Sequence, residues 1–423
     1  MNFLTEELAR SIAKDFGTPV YVYSEKELME NARKVLAFPH AFGFLGRYAM
    51  KALPNGAVLQ ILHNAGLHID ASSGYEVERA MLAGIPGSHI QLTSQQLPAD
   101  LFRLVIQNGV LFNACSLHQI ETYGRLINGA SIGKEISIRV NPGLGSGHCK
   151  SCNTGGPGSS FGIWHRQLAE AKQLAAKYGL TIKRLHTHIG SGSDPDVWVK
   201  VANMSLAIAE QLPDVEVLNL GGGFKVGRVP GEKTTDLQVC GNAVKKAFER
   251  FAEKTGRELK LEVEPGTYVA ASAGVLLTTV TDVVTTKPDS EGMVFVKADT
   301  GMTEITRPAL YGAQHPITVV PHEEDPPREI IACVVSGHCC ESGDILTPAP
   351  GDPGTIATRD LPSPKVGDIL VIGYTGAYCS GMSTKNYNSF PEAPEVLIHK
   401  DGTLQLIRRR QTLAQMVQNE TGL

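Results

Sequence analysis

Four groups of residues in this sequence are of types and spacings that could do chemistry. Lys51 closes the stretch GFLGRYAM and stands three residues before Pro54. A lysine there is either an ordinary surface residue at a strand end or an amine partly desolvated at the mouth of a barrel, able to condense with a carbonyl. Gly221, Gly222 and Gly223 follow VEVLNL, and three glycines without Cβ atoms let backbone N–H groups approach an anion, where a plain turn needs only one. His188 and Ser191, within HTHIGSGSD, offer a flat ring and a hydroxyl, although a core histidine is the commoner fate of such a residue. Glu264, in Glu262-Val263-Glu264-Pro265-Gly266, is a carboxylate at a strand end ahead of a proline, suited to pair with a protonated ring nitrogen.

These groups need a scaffold that brings distant segments together. Short apolar runs alternate with helical periodicity through most of the chain, and they predict eight strands ending near Met50, Ala71, Leu92, Phe112, Val140, Thr187, Leu220 and Val263. Between them, Pro54 is expected to open a helix that uses Val58, Leu59 and Leu62 on one face and stops at Gly66, and another helix is expected over Tyr75–Gly84. Eight strand–helix units in about 240 residues predict an α/β fold of TIM type, a (β/α)8 barrel with right-handed crossovers. An open doubly wound sheet would gather its polar residues at one crevice. Here they follow many strands: Lys51, Ser72 to Gly74, Asn113, Arg139 with Asn141, His188 with Ser191, Gly221 to Gly223, and Glu264.

Beyond residue 288 the runs MVFVKAD, REIIACVVSG, DILVIGYTG and PEVLIHK are separated by proline-rich stretches, which predicts a C-terminal β-sandwich or β-barrel-like domain. The expected division is a barrel over 27–287, with 1–26 and 288–423 forming the β domain. The Val20–Tyr23 run precedes the barrel and could be an extra strand of it, and the segment before it reads as an amphipathic helix.

The 423 residues exceed one ordinary core. A charged fraction of 19%, an apolar fraction of 42% and a formal net charge of −4 lack the basic excess that nucleic acid attracts. No apolar run reaches the roughly 18 residues of a membrane span, and Glu6, Glu7 and Asp15 stand where a secretory signal would be basic and then apolar. A cytoplasmic protein follows, and eight cysteines are too sparse for a disulfide framework. Cys149 and Cys152 beside His148 have zinc-knuckle spacing, but no second ligand pair matches and no metal is expected. Gly129-Ala130-Ser131-Ile132-Gly133 fits the nucleophile elbow of hydrolases, yet these residues precede a strand instead of following one.

Pyridoxal 5'-phosphate needs an amine for its aldehyde, donors for its phosphate, a stacking face, and an acid that keeps its ring nitrogen protonated. Lys51, Gly221 to Gly223 with Ser191, His188 and Glu264 meet these four needs. The stretches YAMKALPN, FNACS, RVNPGLGSGH, NTGGPGSSFGIW, HTHIGSGSD, LNLGGG, EPG, RPALYGAQH, CESGD, TGAYCSGM, YNSF and LIRRRQT span nearly the whole chain. In that order they resemble the diaminopimelate decarboxylases, within the alanine-racemase-fold group that includes ornithine decarboxylase.

The resemblance implies that Lys51 carries the cofactor, His188 stacks on its ring, Glu264 bonds its nitrogen, and Gly223 with Ser191 holds its phosphate. Gly221, Gly222, Pro265, Gly266 and Thr267 complete the cofactor's surroundings. It also implies that Arg307 and Tyr311 bind the amino-acid substrate, Cys340 donates a proton, Glu341 meets the distal amine, and Tyr378 touches cofactor and substrate. Cys340 and Tyr378 are expected from the partner chain of a homodimer. Two positions depart from the family: Thr267 replaces an arginine that grips the distal carboxylate, and Ser160 replaces a lysine. The loss of one charge-assisted contact is worth about 1.5 to 3 kcal/mol, so ornithine, arginine and D-amino acids stand as rival substrates. A racemase of the same fold would place an arginine, not Glu264, at the ring nitrogen. A non-catalytic cofactor-binding relative would lack the β domain, Lys51 or Cys340.

Overall fold

The computed structural model describes residues 3–144, 155–188, 190, 194–286, 292–323 and 326–422. Eight strands form the barrel: Phe44–Ala49, His68–Ala71, Ile90–Leu92, Leu111–Ala114, Glu135–Asn141, Thr181–His186, Val217–Asn219 and Lys260–Val263. Every neighbouring pair is parallel, from the first with the second round to the eighth with the first, so the sheet closes on itself. The eight ends fall within two residues of the expected ones.

Short polar residues start the intervening helices by accepting orphan N–H groups. Asn55 accepts from Ala57 N–H at 3.0 Å, Ser73 from Glu76 N–H at 3.1 Å, and Ser116 from Gln119 N–H at 3.1 Å. The helix expected from Pro54 therefore begins at Gly56, with Asn55 as its cap, and ends at Asn64, while Gly66 takes the left-handed φ of 106° just beyond. The next helix covers Gly74–Leu82.

The chain divides into two compact units. One comprises residues 28–226 and 233–269, and the other 1–27, 227–232 and 270–423. The second unit thus begins at Ala270, not at 288. The 12-residue strand Gly274–Thr285 lies at the heart of its sheet, pairing with Val20–Ser24, Val294–Ala298 and Ile369–Ile372. Val20–Ser24 is likewise no barrel strand. It lies antiparallel to Gly274–Thr285 and parallel to Glu395–Ile398, because all five of its residues are buried in that sheet. The amphipathic helix Glu6–Phe16 buries Ala9 and Ile12 in the same core with Val20, Val22, Val275, Leu277, Val371 and Val396.

Alternation along a strand puts residues two apart on one face, so Glu262 and Glu264 belong to successive layers of the barrel interior. The lower layer is closed by ions. Glu262, 1% exposed, accepts from Arg47 Nε at 3.0 Å and also pairs with Arg184. Burial works against its charge, but the two guanidinium groups outweigh it and hold its pKa low. Removing one partner of such a buried cluster costs about 3 to 5 kcal/mol. Arg47→Met is therefore expected to lower the urea midpoint of unfolding markedly, and an unchanged midpoint would remove this cluster from the barrel's supports.

Candidate active site

The upper layer of the barrel converges on Glu264, at the end of the eighth strand and 6% exposed. Its carboxylate accepts from Gln91 Nε2 at 2.6 Å and Asn219 Nδ2 at 2.7 Å, and it meets His186 Nε2 at 3.0 Å. Burial alone would raise its pKa, but the charge and hydrogen bond of His186, with help from His188 and Gln91, push it well below the carboxylate range. The barrel thus holds a fixed anion at its C-terminal face.

A second carboxylate, Asp70, lies in the same layer and accepts from Thr93 Oγ1 at 3.0 Å and Gln91 Nε2 at 3.2 Å. Burial first, and the like charge of Glu264 second, raise its pKa to about 8. Two buried carboxylates this closely coupled share one negative charge near neutrality, and Glu264, with three donors, keeps it. The folded-state pKa of Asp70 lies above its unfolded value, so its contribution to stability is full below pH 3.8 and is lost as pH rises through about 8. In the apoprotein, Asp70→Asn is expected to flatten the fall in melting temperature across this window by several degrees. Parallel thermal melts of the two proteins test this, and identical pH profiles would contradict it.

Lys51 sits in the single 3-10 turn Met50–Ala52 that follows the first strand. The residue is exposed on this chain, so burial is not the main feature of its setting. Its surroundings are instead electrostatic: its charge lowers the pKa values of Asp70 and Glu76 and helps depress that of His188. Gly266 packs against this turn, where an added Cβ would stand 3.2 Å from Ala52 Cβ, and Ala49 N–H donates to Pro265 O at 3.2 Å. Thr267 opens the short helix Thr267–Ala270.

The glycine turn shows a division of labour. Gly221 N–H donates to Asn219 Oδ1 at 2.8 Å and Gly222 N–H to His188 Nδ1 at 3.0 Å. A Cβ at Gly221 would fall 2.4 Å from His188 Nδ1, and one at Gly222 would fall 2.2 Å from Glu264 O. Two of the three glycines are thus there for close packing of the ring and strand ends. Gly223, at a φ of 104°, is the one whose N–H these bonds leave for an anion. Because His188 Nδ1 is an acceptor, its ring is neutral with the proton on Nε2, and burial first, then Arg139 and Lys51, keep its pKa well below the usual value.

The structure brings Lys51, His188, Glu264 and Gly221 to Gly223 into one unit. Ser191 and the His148, Cys149 and Cys152 cluster lie outside the described residues. Ser160 is exposed. Asn113, Arg139 and Asn141, noted as strand-end polar residues, hold the scaffold: Asn113 donates to Thr93, Arg139 stacks over Phe161 at 5.0 Å, and Asn141 ties Gly143 and Gly156. Asp70, Gln91, His186 and Asn219 escaped sequence reading. Inward alternation from Glu264 and Lys51 around the barrel could have found them.

The remaining predicted residues belong to the other unit. Arg307 and Tyr311 share the one-turn helix Arg307–Tyr311, with the guanidinium 5.9 Å above the Tyr311 ring. Cys340 and Glu341 are exposed. Cys340 N–H donates to Asn388 Oδ1 at 2.8 Å, and Tyr387 OH reaches Glu341 at 3.5 Å. Tyr378 adopts a left-handed backbone, φ 58°.

An anion fixed at the barrel mouth, a neutral ring held by a glycine N–H, and a lysine one turn beyond the first strand fit a pyridoxal cofactor. Comparison with known proteins agrees. Residues 27–271 match the family described as pyridoxal-dependent decarboxylase, pyridoxal binding domain. The chain is 35% identical to a diaminopimelate decarboxylase of Streptomyces coelicolor over 96% of this chain and 90% of that one. It is also 35% identical to that of Escherichia coli K12, over 98% and 96%.

A crystal structure of diaminopimelate decarboxylase superposes with a TM-score of 0.90 at 33% identity, covering 99% of this chain and 97% of that one. The Helicobacter pylori enzyme complexed with L-lysine gives 0.83 at 27%, covering 97% and 98%. The chain belongs to the diaminopimelate decarboxylase family of pyridoxal-dependent decarboxylases. It is a carboxy-lyase, and its cofactor is pyridoxal 5'-phosphate. Among the described residues no helix is long and apolar enough to cross a membrane.

Proposed function

We propose that this protein decarboxylates meso-diaminopimelate to L-lysine and carbon dioxide, the last step of lysine biosynthesis. The observation that carries the reading is the three-donor cage around Glu264, which keeps a carboxylate ionised inside the barrel. Pyridoxal phosphate, when bound, supplies a protonated ring that accepts the electron pair left by departing carbon dioxide.

The residues do the rest. Lys51 would hold the cofactor aldehyde through its amine. Glu264 keeps the proton on the ring nitrogen, where an arginine would discourage it. His188, its ring plane set by the bond from Gly222 N–H, stacks on the cofactor, and Gly223 with Ser191 takes the phosphate. Gly221 and Gly222 permit this close packing, while Pro265, Gly266 and Thr267 line the approach. Arg307, Tyr311 and Glu341 receive the far end of the substrate, and Cys340 returns a proton to the vacated carbon. Cys340 and Tyr378 serve the partner's barrel in a homodimer, and the protein works in the cytoplasm.

Purified protein with added cofactor, offered meso-diaminopimelate, L-ornithine, L-arginine and D-lysine in parallel, is expected to release carbon dioxide from the first with a kcat/KM at least roughly tenfold above the others, a difference of about 1.4 kcal/mol. A preference for ornithine or arginine would overturn the substrate while sparing the reaction class.

A further inference from the structure

Among the described residues, buried arginines differ in what stands beside them, and Arg139, 7% exposed, stacks over the Phe161 ring. Arg47 and Arg184 share Glu262, and Arg328, 9% exposed, is paired with Asp368. Arg307 and Arg228 differ. Arg307 is 8% exposed, and its Nε has no hydrogen-bond partner. Arg228 stands in the turn between Gly227 and Glu232, and its Nε and Nη2 are buried without a partner. Among the described residues neither guanidinium forms an ion pair with a carboxylate. Glu232, the nearest acid in sequence, spends its Oε2 on the backbone N–H of Arg228 at 2.9 Å. It fixes the turn and offsets part of the Arg228 charge without a direct ion pair.

Arg228, Glu232 and Arg307 belong to one compact unit, and the two arginines act on a common set of neighbours. Burial first and then Arg307 depress the pKa of Arg228, to about 9. Both cations depress His315, and both lower the otherwise raised pKa of the Cys379 thiol. His315, 2% exposed, donates Nδ1–H to Gly373 O at 2.9 Å, leaving Nε2 buried without a partner, and Thr375 Oγ1 nearby in sequence is buried in the same state. Two like charges brought together with unmet N–H donors are unfavourable unless an anion is shared between them. A carboxylate matches the paired forks, since each guanidinium presents parallel N–H groups to two oxygens.

We propose that Arg228 joins Arg307 in gripping the distal carboxylate of the substrate, making Arg228 a specificity-determining residue. This deepens the proposed function and rests on it for the identity of the ligand.

The test uses two ligands of the holoenzyme. L-Lysine keeps the distal carboxylate of diaminopimelate, and cadaverine lacks it. By calorimetry, Arg228→Met is expected to weaken L-lysine at least about 30-fold and cadaverine less than about threefold, with Arg228→Lys in between. Equal losses for both ligands, or none for L-lysine, would overturn the proposal. Loss of cofactor from Arg228→Met on dialysis would also overturn it, by assigning Arg228 to the phosphate. If the wild-type enzyme neither binds L-lysine nor decarboxylates diaminopimelate, the functional reading fails by itself. Pimelate, a dicarboxylate without amines, then serves as the probe: binding that depends on Arg228 upholds the carboxylate site, and binding indifferent to Arg228 ends it.

Discussion

Lys51→Ala is expected to lower decarboxylation on the order of 10³-fold or more and to leave the fold intact. The size of the loss follows from the role: a nucleophilic amine that exchanges with the substrate amine cannot be replaced by solvent, and losses for such groups are among the largest single substitutions produce. The intact fold follows from position. Lys51 is exposed in a one-turn 3-10 segment, so truncation leaves no cavity, and the packing of Ala49 and Ala52 against Gly266 does not involve it. Steady-state rates with meso-diaminopimelate, alongside a melting curve, check both halves. Activity within tenfold of wild type would move the anchor to another lysine.

Glu264→Gln is the second large effect, a fall of roughly 10² to 10³-fold in kcat, the range for removing one preorganised electrostatic contact. The amide keeps the shape of the side chain but not the charge that holds a proton on the ring nitrogen. It also reverses the hydrogen-bond logic, because Gln91 Nε2 and Asn219 Nδ2 are donors placed 2.6 and 2.7 Å from the carboxylate oxygens, and a glutamine Nε2 facing either would be a donor against a donor. With the charge gone, Asp70 loses the repulsion that helps hold its pKa near 8, so its titration is expected to move downward in this variant. Rates measured against pH show both changes. A variant with wild-type kcat would remove Glu264 from the chemistry.

The barrel was legible because each unit carries its signals locally: an apolar run, then a capping Asn or Ser, then a periodic helix. The ends of the eight strands followed from those runs alone. The start of the second unit was not, since the strand Gly274–Thr285 follows the eighth barrel strand after a short helical stretch, and only its partners in the sheet reveal its allegiance. Val20–Ser24 misleads for the same reason, being a buried strand whose neighbours, Gly274–Thr285 and Glu395–Ile398, are hundreds of residues away.

At the site, residues with special chemistry could be read directly: Lys51, His188, Glu264 and the three glycines. Their supports could not. Gln91, Asn219 and His186 look like ordinary strand residues, and only closure of the barrel brings their polar ends onto Glu264.

The most direct measurement is chemical trapping. Holoenzyme treated with borohydride, digested and mapped by mass spectrometry, is predicted to carry the reduced cofactor on the peptide containing Lys51 and on no other lysine. A cofactor mass on a different lysine, or holoenzyme in which no peptide acquires it, would contradict the account at its foundation.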